Sequence, residues 1–87
     1  MHFYAIRNRN TISGDHKWWS GKNWSPNPKL YSKKQHLGSA ISHHGWGHID
    51  QIEVVIFSTQ EHPNALPVSF WKDKTYREKW LKEEGLQ

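Results

Sequence analysis

IDQIEVVIFST, Ile49 to Thr59, is the only stretch of the chain in which β-branched and apolar residues run nearly unbroken. Its spacing predicts a central β-strand with Ile52, Val54 and Ile56 on one pleat face. Gln51 and Glu53 begin the opposite face, and Val55 and Phe57 finish it. Only 34% of the 87 residues are hydrophobic. The remaining apolar side chains must therefore pack on this strand or stand exposed.

Working outward, His2 to Arg9 (HFYAIRNR) reads as a first strand, with Tyr4 and Ile6 on one face and Phe3 and Ala5 on the other. NTISGD, Asn10 to Asp15, has turn chemistry, and HKWWS returns as the second strand of a hairpin. Trp18 and Trp19 are adjacent, so a strand sends them to opposite faces: one into the core, the other to a cover or a partner. Ser20 to Lys29 reads as a loop carrying Trp24, because Pro26 and Pro28 lack the amide donor. Leu30 and Tyr31 are expected to form a short third strand.

Ser32 and Gln35 are spaced as a capping box for a helix whose buried stripe is Leu37, Ala40 and Ile41. Gly38 interrupts that helix, and a close backbone approach is the expected reason. Gly45 is its expected stop, with HHGWGH, His43 to His48, as the linker to the central strand. Beyond Thr59, a loop holding Pro63 and Pro67 leads to VSFW, Val68 to Trp71, read as an edge strand. A second helix starts at the Thr75 and Glu78 capping box, aligns Tyr76 with Trp80 and Leu81, and stops at Gly85. Glu78 with Lys82 and Lys79 with Glu83 form outward i, i+4 pairs. The expected fold is α+β, one domain over residues 1–87: a mainly antiparallel sheet of three to five strands, one helix after the hairpin region and one C-terminal helix. The Ser32 helix is expected on one sheet face, the Thr75 helix on the other face or at an edge.

Composition narrows the function. Cysteine is absent, which removes disulfide frameworks and thiolate metal sites. No charged-then-apolar leader opens the chain, and no apolar run nears the roughly 18 residues of a membrane span. A soluble protein of the cytoplasm is expected. Residues 1–48 hold seven Lys or Arg against Asp15 alone, a net +6, whereas residues 49–87 hold five against seven acids, a net −2. A basic half interleaved with aromatics attracts an acidic protein surface, a nucleic acid or a nucleotide, set against the plainer reading of a solvated face.

Catalytic templates are missing. No Gly-x-Ser-x-Gly elbow, P-loop or His-Glu-x-x-His occurs, and no histidine begins a His-x-Ser or His-x-Thr tripeptide. The chain reads as a non-enzyme without cofactor, a histidine and lysine pair acting on a phosphodiester being the remaining catalytic alternative. The cluster His36, His43, His44 and His48 is not read as a metal site. His36 and His44 lie roughly 12 Å apart along a helix, and helix-end histidines have a dipole reason to be there.

Trp71, Trp80 and one of Trp18 and Trp19 are expected in the core. Trp24 and Trp46 sit in loops beside Lys22 and His48, either as platforms for a partner or as plugs at the sheet edge. The candidate contact set is therefore Arg7, Arg9, Lys17, Lys22, Lys33 and Lys34 as cations, with Trp19, Trp24 and Trp46 as anchors. No recognised nucleic-acid module accompanies them, so nucleic-acid binding by this set is expected to be weakly sequence-specific and steeply salt-dependent.

FYAIRN, the tryptophan-bearing hairpin, KLYSKKQHLGSAI and DQIEVVIF follow one another in an order that resembles small accessory proteins encoded by bacteriophages. The likeness spans roughly residues 3–57 and rests on layout and on Ile6, Arg7, Asn8, Tyr31, Ala40 and Ile41. It implies a viral host-takeover or counter-defence factor: an inhibitor that binds a host protein or protein complex with an acidic surface, in the host cytoplasm. Direct DNA or RNA binding and nucleotide sequestration are the alternatives. The type has no defined site, so no residue roles carry over.

Overall fold

In chain order the elements are β1 (Phe3–Asn8), β2 (Trp18–Trp19), β3 (Trp24–Ser25), α1 (Lys34–His43), β4 (Ile52–Phe57), β5 (Leu66–Pro67), α2 (Val68–Trp71) and α3 (Lys74–Glu83). They come from a computed structural model that describes residues 2–9, 17–43, 51–58 and 60–86. The turn Asn10 to Asp15, the Gly45 stop and most of the HHGWGH linker lie outside the described residues. The five strands form one antiparallel sheet in the order β3-β2-β1-β4-β5. The α+β architecture is as the sequence predicts, and the radius of gyration of 12.1 Å is that of a compact chain of this length.

The register joins Phe3 to Phe57 and Asn8 to Ile52, six pairs between the two longest strands. β4 is internal, with β1 on one side and β5 on the other, and β1 takes the middle of the sheet. Parity is as read. Tyr4, Ile6, Ile52, Val54 and Ile56 join the main core, while Ala5 and Val55 face the other way into a smaller cluster with Trp18. Full burial of each large aliphatic side chain in the main core contributes about 1.5–3 kcal/mol.

Several elements depart from expectation. The third strand is Trp24–Ser25, not Leu30–Tyr31. Ser20 and Asn23 close a tight turn (Ser20 N–H to Asn23 O, 2.9 Å) around Gly21 and Lys22. Gly21 has φ 101°, as the first central position of a type II′ hairpin requires. Pro26 ends the pairing by withholding a donor. Tyr31 contributes only a bridge, exchanging two 2.8 Å hydrogen bonds with Tyr4 on the edge of β1 that β2 leaves open, and Leu30 is exposed.

VSFW is a helical turn rather than an edge strand. Val68 and Trp71 are buried while Ser69 and Phe70 are exposed, a three-residue spacing that a strand cannot produce because it would pair Val68 with Phe70. The edge strand is instead Leu66–Pro67, where Pro67 is tolerated because an edge needs no second donor.

Both long helices pack on the same sheet face, since Leu37 and Ile41 of α1 and Leu81 of α3 belong to one cluster with Trp71. The Thr75 helix is therefore not on the opposite face, where the described residues form the smaller cluster of Ala5, Trp18 and Val55 with Phe57 and Ala65 against it. Helix starts are shifted too. Leu37 donates to Lys33 O at 3.2 Å, so Lys33 rather than Ser32 is the N-cap of α1. Asp73 caps α3, accepting from Tyr76 N–H at 3.1 Å.

The C-terminal stop is as expected. Gly85 has φ 70°, and Leu86 N–H reaches Leu81 O (2.8 Å) while Gly85 N–H reaches Lys82 O (3.2 Å), a Schellman closure. Gly38 is different. Among the described residues, and apart from its chain neighbours and the nearby backbone of its own helix, no atom lies within 4 Å of where its Cβ would stand. No close approach explains a glycine that costs about 1 kcal/mol relative to alanine in a helix interior.

Candidate functional site

The expected contact set divides between the two sheet faces. On the second face Arg7 opposes Glu53 across β1 and β4, donating from Nε (3.1 Å) and Nη2 (2.9 Å) to one carboxylate oxygen of Glu53 and from Nη1 to Glu61 (3.1 Å). Burial opposes its charge, but the two carboxylates outweigh that and raise the guanidinium pKa above its ordinary value. Arg7 and Lys17 flank the Trp18 ring, at 5.5 and 5.6 Å from its centroid. Arg7 thus holds the sheet together internally, a role that its position in a basic stretch did not disclose.

Both adjacent tryptophans are buried, each 6% exposed. Trp19 belongs to the main core, and Trp24, half-buried, meets it edge-on at 5.3 Å. Trp46 lies outside the described residues, as do His44 and His48. His36 and His43 are exposed, and among the described residues no group of three potential metal ligands converges. Arg9 is exposed, and Lys34 reaches across to Glu78 of α3 at 3.5 Å.

One further cation, Lys29, lines a groove beside α1. The groove, of about 420 Å³, runs between the segment Lys29 to Ser32 and α1, with Gly21 at its margin and His36 and Ser39 contributed by the helix. The Lys29 ammonium lies 5.2 Å from the Tyr31 ring centroid. Gly21 lets it rest there, because a Cβ at that position would stand 3.2 Å from Lys29 Cδ and 3.3 Å from Nζ. Lys22 and Lys33 adjoin the lining residues in sequence and are exposed, and Leu30 stands 48% exposed at the rim. No Asp or Glu occurs from Lys17 to His43. Burial raises the Tyr31 hydroxyl pKa, so the ring stays a neutral phenol beside the ammonium.

Such a groove is suited to an acidic group with apolar surface beside it. Sequence reading supplied Lys22 and Lys33 but omitted Lys29, Leu30 and Tyr31. The missing signal was the Ser-Gly-Lys-Asn hairpin, which folds the chain so that Lys29 crosses Gly21.

A second exposed feature also escaped the sequence. Phe70 and Tyr76 stack at 5.0 Å with an interplanar angle of 29°, 48% and 45% exposed. Near them, His62 meets Trp80 edge-on and bonds Glu84 at 2.9 Å. Hydrogen bonds from His62 and Asn64 hold the Glu84 carboxyl below its ordinary pKa.

No helix among the described residues is long and apolar enough to cross a membrane. Compared with known protein families, with curated proteins and with solved structures, the chain matches none.

Proposed function

We propose that the chain is a non-catalytic binding protein that inhibits or redirects a host macromolecule, as phage accessory proteins do, by seating an acidic protein surface in the groove between Lys29–Ser32 and α1. The carrying observation is the coincidence of an acid-free segment, a lysine laid across Gly21 and Tyr31, and an exposed leucine at the rim. The cations steer the partner and pair with its carboxylates, and Leu30 supplies the apolar contact that fixes register. Trp24, braced on Trp19, is the rigid aromatic nearest in sequence to this wall. The expected site of action is the host cytoplasm.

The test is capture of a partner from host lysate by the full chain, compared with a Lys22→Glu, Lys29→Glu, Lys33→Glu variant and with a control reversing Lys74, Lys79 and Lys82. The reading expects loss with the first variant, retention with the control, and weaker capture as salt rises. Equal capture by the first variant and the unaltered chain overturns it. A shift of nonspecific nucleic acid that disappears with salt moves the function to nucleic-acid binding. A melting temperature raised by free nucleotides moves it to sequestration.

A further inference from the structure

Helix α1 is flanked by a second groove, on the side away from Lys29. About 470 Å³ in volume, it is lined by Gly38, Ile41 and Ser42 of α1, Trp71 and Lys72 at the end of α2, and Arg77 of α3. Gly38, Ile41 and Ser42 share one helix face by their spacing. Gly38 is the anomaly: a helix-interior glycine, with negative φ and, beyond its chain neighbours and its own helix backbone, no described atom within 4 Å of its missing Cβ. Neither turn geometry nor internal packing calls for it. Among the described residues its consequence is the space in front of it.

The opposite wall carries two cations, Lys72 and Arg77. Arg77 lies over the Trp71 ring at 5.5 Å and donates from Nη1 to Trp71 O at 3.2 Å. Its Nε makes no hydrogen bond among the described residues but forms an ion pair with the Glu78 carboxylate at 3.6 Å. Lys72 is exposed beside it, and Ser42 adds a hydroxyl. Bare helix backbone gives a planar group a surface to lie on, Ile41 and Trp71 add apolar contact, and the two cations ask for an oxyanion.

The geometry points to a second binding site, distinct from the groove at Lys29, that takes a small aromatic ring bearing an oxyanion, with the ring on the Gly38 face of α1 and the anion between Lys72 and Arg77. Gly38 is the residue that keeps the site open.

Phenyl phosphate is the probe, followed through the amide NMR shifts of the full chain, with inorganic phosphate and phenol as half-ligands. The expected result is saturable shifts centred on Gly38, Ser42, Lys72 and Arg77, with phenyl phosphate binding more tightly than either half. Gly38→Leu, which fills the space, is expected to abolish the shifts with a melting temperature no lower than that of the unaltered chain. Lys72→Gln is expected to weaken binding roughly tenfold. The proposal is overturned by the absence of saturable shifts, by equal affinity in Gly38→Leu, or by a fall in melting temperature in both Gly38→Leu and Gly38→Ala, which would give the glycine a structural role.

Discussion

The two faces of the sheet are held by different physics. One presents Tyr4, Ile6, Ile52, Val54 and Ile56 to the helices and closes over a continuous apolar cluster that includes Trp71 and Leu81. The other has, among the described residues, a smaller cluster of Ala5, Trp18 and Val55 with Phe57 and Ala65 against it, bordered by the Arg7–Glu53–Glu61 ion pairs. Apolar burial is non-directional and tolerates partial loss, whereas a buried carboxylate depends on its one cation. Mutation should therefore expose the two faces by different signatures.

The largest effect is expected on the helical face. Trp71 is 1% exposed and touches Tyr4 at 5.8 Å, so Trp71→Ala should cost about 3–5 kcal/mol in denaturant unfolding. That is a large share of what so small a domain has to lose. A loss below about 1 kcal/mol would mean that the cluster collapses around the gap and that the two faces are more alike than drawn.

Next is the ion-paired face. Arg7→Met leaves Glu53, 7% exposed, without its cation and should cost about 2–3 kcal/mol. Adding Glu53→Leu should recover at least half of that, because an apolar pair avoids desolvating a charge. If the double variant is no better than the single one, packing of the arginine stem against Trp18 outweighs the charge pair.

A smaller expected effect separates the faces by pH. Tyr4 and Tyr31 both lie on the helical side, and burial, aided for Tyr4 by the Glu78 charge, raises both hydroxyls above the ordinary value. A raised pKa means that the folded state favours the protonated phenol. The stability is complete below about pH 10 and is lost as pH climbs through the folded values. Tyrosinate absorbance should rise together with loss of the fold, while a Tyr31→Phe variant should hold to higher pH. Early, non-cooperative ionisation would show that these rings are open to water.

The smallest effect is at the acid end. Glu84, held low by His62 and Asn64, contributes stability that is present above the ordinary carboxylate value of about 4.3 and disappears as pH falls through its depressed value. Glu84→Gln should flatten that part of the acid unfolding curve. An unchanged curve would remove Glu84 from the acid response.

The pattern of what was legible follows from range. The period-two alternation of IEVVIF and FYAIRN assigned both long strands and their faces, because a pleat fixes orientation locally. Gly85 marked the end of α3 for the same reason. The hairpin at Gly21 was locally encoded as well, yet Pro26 and Pro28 masked it. Val68 to Trp71 is a helical turn that sequence did not reveal, because four residues carry too little periodicity to separate a turn of helix from a strand, and packing into the cluster with Leu81 is what points Val68 and Trp71 together. The candidate groove was half legible: the basic bias named the segment, but not which cations meet.

Taken alone, the sequence determined the α+β class, the register faces of the two long strands, the stop at Gly85 and the acid-free stretch from Lys17 to His43, since each depends on neighbours along the chain. Tertiary structure decided the rest: that Arg7 turns inward to Glu53, that both helices share one face, that Lys29 crosses Gly21 to Tyr31, and that Gly38 fronts space no other described residue fills. Arg7 meets carboxylates 46 and 54 positions away and Lys29 meets Gly21 8 positions away, and a side chain's partner at such distances is set by competition for burial and charge compensation across the whole fold.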